Sequence, residues 1–226
     1  EKLCITKGLS DDGYLFLCGD EPLLSKVFKT RKNVRYFAPD DKAADYYALN
    51  IRTDEAGITF DAFCRGKMIY DLEIPCIGKH NVAAALVAVG IATTIGLDED
   101  GIRRGLASYR SVGLRQLMLE IGGRHIICDC YNASPESVRA ALHALSEMPV
   151  KGRRIAVLGD MLELGAQTEQ LHYATGAHAA GVLDILVTVG DLGAHVAKGA
   201  QENDCQVYAF TGAAAKQQAA EKICAL

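Results

Sequence analysis

The residues of this chain best suited to chemistry gather between His125 and Gly165, in the run HIICDCYNASPESVRAALHALSEMPVKGRRIAVLGDMLELG. His125–Cys128 is a short apolar run bounded by Gly122-Gly123 and by Asp129, the pattern of a buried strand. Asp129, Tyr131 and Asn132 then stand at its carboxyl end, the edge at which parallel sheets bind their ligands. Ser134 has the place of a helix N-cap, with Pro135 first in the helix and Glu136 in its first turn, ahead of an apolar face of Val138, Ala141, Leu142 and Leu145. A helix start presents unpaired N–H groups and partial positive charge, so this junction suits a phosphate, a ribose or a carboxylate. Ile155–Leu158 repeats the pattern and ends at Gly159-Asp160, which puts Asp160, Glu163 and His172 on the same expected edge. Plainer readings stay open beside these. A strand-end Asp often caps a turn, Glu163 suits the following helix N-terminus, and for His172 a structural place on the apolar face of its own helix is the stronger expectation.

The elements that must carry these residues follow from periodicity. Strands are expected at Tyr14–Cys18 and Val34–Ala38, and Glu1–Leu9 reads as the end of a helix closed near Gly8, so the chain is expected to begin inside an element of a longer protein. Tyr46–Arg52, Gly57–Cys64 and Lys67–Ile74 alternate apolar and polar residues around turns at 54–57 and Arg65-Gly66, which predicts an antiparallel meander. Pro75 ends it. A helix rich in small residues runs from about Lys79–Asn81 to Ile95, and a second, capped by Asp98, covers Leu97–Ser108. The pattern changes at Tyr109–Arg115, which divides the chain into residues 1–110 and 111–226. Beyond it, strands at 117–121, 125–129, 154–158, 184–189 and 206–210 alternate with helices at 135–147, 168–181, 193–201 and 213–223. That alternation predicts an α/β, Rossmann-like layer with a parallel sheet covered on both faces.

Composition narrows the functional classes. A net charge of −4 and a pI near 5.9, with no Lys/Arg block, argue against nucleic acid or an anionic membrane as partner. The longest apolar stretch, Val82–Ile95, is broken by Gly90 and Thr93-Thr94 and is too short to span a bilayer, so a soluble, cytoplasmic protein without membrane insertion is expected. Eight cysteines without CxxC spacing read as buried thiols of a reducing compartment. Cys128 and Cys130 with His125 and Asp129 resemble a metal site, against which plain core packing is the stronger expectation. Gly66-Lys67 is followed by Met68 and Gly78-Lys79 by His80, so the chain carries no phosphate loop; it also has no GxGxxG after a strand, no GxSxG elbow and no HExxH helix.

Four segments in order, IPCIGKHNVAAAL, VGLRQ, DCYNASPESVRAAL and RRIAVLGDMLELG, resemble the Mur ligases over essentially the whole chain, and specifically the ATP-dependent members that join D-alanyl-D-alanine to UDP-N-acetylmuramoyl-tripeptide. The resemblance implies the latter part of an ATP-binding central domain (1–110; antiparallel strands plus helices) followed by a Rossmann-like C-terminal ligase domain truncated at its end (111–226). It implies ATP and Mg²⁺ as cofactors, and an acyl phosphate attacked by the amine of the dipeptide. Carried over by position, His80 and Asn81 place the adenine, Arg115 reaches phosphate, Asp129 lies near the ribose, and Tyr131 and Asn132 line the cleft between domains. Asp160 and Glu163 fall near the site of the incoming amine, and Lys2 matches the lysine that, carbamylated, holds Mg²⁺. Ala84 departs from the pattern, because the family commonly has a second Asn there. Without a phosphate loop the piece is expected to be inactive alone. The alternatives left open are a non-catalytic Rossmann-like binding module and a ligase for another amino acid or for folate.

Overall fold

Alternation of apolar and polar residues between Tyr46 and Ile74 makes three antiparallel strands in the computed structural model, which describes residues 2–27, 33–54 and 56–226. They belong to the first of two units, Glu1–Arg110 and Ser111–Leu226. The first unit has a five-stranded sheet in the order β1 (Leu15–Cys18), β2 (Val34–Phe37), β3 (Tyr46–Asp54), β4 (Gly57–Cys64) and β5 (Lys67–Ile74). The first three strands run parallel and the last three antiparallel. Arg65 and Gly66 both have positive φ, 49° and 96°, as the tight two-residue turn between β4 and β5 requires. The opening residues form a 3-10 helix, Lys2–Gly8, rather than the end of an α-helix.

Helices α1 (Asn81–Thr94) and α2 (Glu99–Ala107) cover one face of this sheet, and Val82, Leu86, Val89 and Ile102 bury against Ile58, Phe60, Ile69 and Leu72. The small residues of α1 have a reason in this packing. A Cβ on Gly90 would press into the ring of Phe16, which itself meets Tyr46 with ring centroids 5.9 Å apart. Asp98 caps α2 through Gly101 N–H at 2.7 Å.

One polar residue organises the meander. The register slips between Leu49 and Arg52 and again between Phe60 and Ala62, and the residues beside these bulges, Asn50 and Asp71, are left-handed with φ of 52° and 51°. Both are fastened to Asp61, only 6% exposed: Asn50 Nδ2 donates to one carboxylate oxygen at 2.7 Å and Asp71 N–H to the other at 2.9 Å. A buried carboxylate is tolerable here because directional donors replace its water.

The second unit opens with an antiparallel ribbon, β6 (Leu117–Ile121) and β7 (Arg124–Cys128), turned by Gly122-Gly123. Then follow α3 (Pro135–Glu147), β8 (Ile155–Gly159), α4 (Thr168–Ala180), β9 (Ile185–Val189), α5 (Gly193–Gln201), β10 (Gln206–Phe210) and α6 (Ala215–Cys224). Strands β8, β9 and β10 form a parallel sheet in the order β10-β9-β8. Leu142, Ala179, Val196 and Ala200 of α3, α4 and α5 bury Leu186 on one face; on the other, Ala219 of α6 packs against Ile185 and Val187.

Three expectations are corrected. The run 125–128 is a strand, but β7 pairs with β6 alone and is mostly exposed, so it does not lie in the parallel sheet beside β8. Its apolar residues are too few to distinguish a ribbon from a core strand. The cysteines are all free, yet Cys4, Cys130 and Cys224 are exposed, Cys18, Cys76, Cys128 and Cys205 are half-buried, and only Cys64 is buried. Cys128 and Cys130 do not pack in a core: Cys128 is half-buried at the end of the ribbon strand β7, outside the core clusters, and Cys130 lies beyond it on the surface.

Two predictions test this packing. A Cβ on Gly176 would overlap the carbonyl oxygen of Val196, and one on Gly199 that of Tyr173, so α4 and α5 meet backbone to backbone. Gly176→Ala is expected to destabilise the second unit by about 3 kcal/mol, the upper range of overpacking costs, in urea unfolding; an unchanged midpoint would contradict the close approach. Burial pushes the Cys64 and Cys76 thiols up to about 11, so both stay protonated in mild alkali. Alkylation there should modify Cys4, Cys130 and Cys224 first and Cys64 and Cys76 only on unfolding.

Candidate functional site

Within the second unit, the carboxyl edge of the parallel sheet is built by the loops that leave β8 and β9. Asp160 follows β8 directly, and its Oδ1 accepts from Gly193 N–H, the first amide of α5, at 2.7 Å. That places the carboxylate on the positive end of a helix 33 residues away. Gly190 makes room for it: its φ is 111°, and a side chain there would overlap the Asp160 carboxylate. Met161, 2% exposed, turns its side chain inward while its N–H donates to His172 Nε2 at 2.9 Å. His172 Nδ1 is 2.7 Å from the carbonyl of Thr168. The histidine is therefore fully buried with both ring nitrogens engaged, the structural role expected for it on the apolar face of its helix rather than a place on the open edge. Glu163 is exposed with a left-handed backbone, φ 63°.

A second group of expected residues meets at the base of the ribbon. Cys130 N–H donates to Leu114 O at 3.0 Å, Gln116 N–H donates to Asp129 Oδ1 at 3.3 Å, and the Arg115 guanidinium lies over the Tyr131 ring, 4.1 Å from its centroid. Arg115, Asp129 and Tyr131 are thus one clasp between segments 114–116 and 129–131, and a permanently charged fork is stacked on an aromatic face. Asn132 Oδ1 accepts from Ala133 N–H at 3.0 Å. The N-terminus of α3 is closed by its own serines: Ser137 N–H donates to Ser134 Oγ at 3.2 Å, and Ser134 N–H to Ser137 Oγ at 2.9 Å. With Pro135 lacking a donor, that helix start offers a phosphate less than the bare pattern implied. Because β7 and β8 are not sheet neighbours, Asp129 and Asp160 do not border adjacent strand tips.

In the first unit, Asn81 begins α1 and donates through Nδ2 to Ile77 O at 2.7 Å, with His80 Nε2 3.4 Å away. The amide stands at the end of an apolar cleft of about 370 Å³ between α1 and α2, lined by Ala84, Ala88, Leu97, Leu106 and Tyr109. A planar, apolar-faced ring with polar edges suits such a space. Burial of Cys76 in the same wall keeps it a thiol. The side chain of Lys2 lies outside the described residues. Among the described residues no three His, Cys, Asp or Glu side chains converge as a metal-ligand set.

Comparison with known proteins follows the same division. The profile of the Mur ligase middle domain matches residues 1–92, and that of the Mur ligase, glutamate ligase domain matches 115–225. The chain belongs to the Mur ligase family. It is 34% identical over 201 residues, 88% of its length, to the UDP-N-acetylmuramoyl-tripeptide–D-alanyl-D-alanine ligase of Bacillus subtilis, of which it covers 43%. The crystal structure of MurF from Acinetobacter baumannii superposes with a TM-score of 0.83 at 24% identity, over 98% of this chain and 47% of that one. The MurF ligase of Thermotoga maritima in complex with ADP gives 0.74 at 20% identity, over 95% and 53%. The chain thus spans about half the length of these Mur ligases.

Sequence reasoning missed Gly190, Met161 and Ser137, the half of the serine box that answers the Ser134 cap. A signal existed for the first, since the word Gly-Asp stands at the ends of both β8 and β9, at 159–160 and just past Val189 at 190–191. The left-handed Glu163 yields a test. A non-glycine residue pays conformational energy there, so Glu163→Gly is expected to raise stability by about 0.5–1 kcal/mol in thermal unfolding. A loss of stability would show that its carboxylate is held by the fold.

Proposed function

We propose that this chain is part of an ATP-dependent amide ligase of peptidoglycan precursor synthesis, which joins D-alanyl-D-alanine to UDP-N-acetylmuramoyl-tripeptide in the cytoplasm. The observation that carries the reading is the match along 88% of the chain to a ligase of that name. Within it, residues 1–110 are the latter part of the ATP-binding central domain and 111–226 the C-terminal ligase domain. Free cysteines throughout, and no helix among the described residues long and apolar enough to cross a membrane, agree with that location.

In this reading the γ-phosphate of ATP passes to the tripeptide carboxylate and ADP leaves. The dipeptide amine attacks the acyl carbon of the resulting acyl phosphate, phosphate departs with its electron pair, and the nitrogen loses a proton. The work of the protein is alignment and charge neutralisation. His80 and Asn81 hold the adenine at the α1–α2 cleft, where an amide both donates to and accepts from a base edge. Arg115, stacked on Tyr131, offers its fork to phosphate, and Asp129 and Asn132 meet the ribose side. Glu163, with Asp160 behind it, attracts the dipeptide ammonium and favours its approach. Lys2 is the candidate for a carbamylated Mg²⁺ ligand. The described residues do not themselves form a magnesium site, so no step is derived through the metal.

Two measurements test the assignment. With ATP, magnesium, tripeptide precursor and D-alanyl-D-alanine, this chain alone is expected to release no phosphate, because it carries no phosphate loop; robust release would overturn that expectation. In calorimetry with ADP, Ala84→Asn adds an amide one helical turn from Asn81 and is expected to tighten binding about threefold to tenfold, the worth of one hydrogen bond. Asn81→Leu is expected to weaken it. Insensitivity to both would remove adenine from this cleft, and competition by other amino acids but not by the dipeptide would replace the substrate.

A further inference from the structure

We propose that His172 is the positioning residue of the turn that carries Asp160 and Glu163, acting through a single fixed tautomer. The inference rests on the reading of Asp160 and Glu163 given above. It begins from a buried polar side chain that no step of the reaction uses. His172 lies in α4 with no exposed surface, yet it spends one ring nitrogen on the Met161 N–H of the preceding connection and the other on the carbonyl of Thr168, which opens its own helix.

The partners fix the proton. Thr168 offers a carbonyl, which only accepts, so Nδ1 must carry the hydrogen at 2.7 Å. Met161 offers an N–H, which only donates, so Nε2 must present its lone pair at 2.9 Å. A side chain held for volume alone would not need either bond, and leucine would fill most of the space. The two bonds instead tie the root of the turn, at 161, to the first residue of α4, at 168.

The turn has other fastenings, among them the Thr168 hydroxyl, which donates to Gly165 O at 2.7 Å. Asp160 is held by Gly193 N–H, and the Met161 side chain is buried beneath. Residues 162–164 therefore project from a root fixed on two sides, with Leu162 and Glu163 exposed. A left-handed glutamate on an exposed turn persists only where its neighbours over-determine the backbone; from the helix side His172 does so at the root of the turn, at Met161, and Thr168 at its far end, at Gly165. Removing it frees Met161 N–H and lets the turn relax, which displaces the Glu163 carboxylate without any loss of a group that touches a ligand.

The experiment uses the whole chain labelled with ¹⁵N. Long-range proton–nitrogen spectra are expected to show His172 as the Nδ1–H tautomer, and Met161 N–H is expected to exchange slowly. His172→Gln, whose Oε1 can take the acceptor's place, should keep Met161 protected and keep the shifts that D-alanyl-D-alanine induces at Asp160 and Glu163. His172→Leu should speed Met161 exchange about tenfold or more, the consequence of losing one buried acceptor, and weaken the dipeptide response by a comparable factor. An Nε2–H tautomer, or a leucine variant with Met161 exchange and dipeptide response intact, would overturn the proposal. If the leucine variant does not fold, the tautomer and the glutamine variant decide. A correct tautomer and a protected Met161, together with no dipeptide response in the unaltered chain, would count against the ligase reading and leave the fixed turn standing.

Discussion

The backbone contact between α4 and α5 is the constraint from which the carboxyl edge of the second unit follows. Gly176 and Gly199 let the helices approach until each touches a carbonyl of the other. Helices that cross this closely have little freedom to slide, because every shift brings backbone against backbone. His172 lies one turn before Gly176, and Gly193 lies just before the Val196 that Gly176 meets. The contact therefore delivers two things at fixed positions to one strand end: an imidazole acceptor for Met161 and a helix amide for Asp160. Gly190, by lacking a side chain, lets that carboxylate in. Glycine is used here for proximity, at a cost in backbone entropy that only the packed state offsets.

The first unit solves a related problem with a charge. A meander of regular hairpins would twist smoothly, but β3 and β5 each break register beside β4. Bulges leave backbone groups and left-handed residues that need partners. Asp61 supplies them by facing Asn50 on one side and the Asp71 amide on the other. From α2, Arg103 then donates to the carbonyls of Tyr70 and Asp71, which joins the helix to the same irregular stretch. In both units a buried polar side chain, Asp61 or His172, holds a stretch of backbone that departs from its ladder.

What was legible in the sequence is what local rules decide. Helices at 135–147 and 193–201 and strands at 117–121 and 206–210 have the bounds that periodicity, caps and turn residues indicate, because those signals act within a few residues. The pairing of β7 was not legible. The run HIIC has the composition of a core strand, and whether it joins a parallel sheet or folds back on 117–121 through Gly122-Gly123 depends on contacts far apart in the chain. Asp61 was overlooked since a lone carboxylate in the run ITFDAFC looks like the polar phase of an alternating strand. The site residues divide the same way. The capped start of α3 at Ser134 was readable, whereas the commitment of His172 to Met161 and of Asp160 to Gly193 needs the crossover geometry.

That commitment bears on how two carboxylates on one edge share a task. Asp160 is half-buried and already accepts a helix amide at 2.7 Å, so part of its charge is spent on the fold. Glu163 is exposed, three residues on, in a backbone conformation that glutamate adopts at a cost. An ammonium arriving at this edge would gain most from the carboxylate with the fewest competing partners, and its approach to Asp160 would have to compete with Gly193 N–H. In the proposed ligase the two are therefore not interchangeable: Asp160 holds the turn against α5, and Glu163 meets the substrate amine. The strain at Glu163 is then the local cost of placing that charge outside the packed layer, where a dipeptide can reach it.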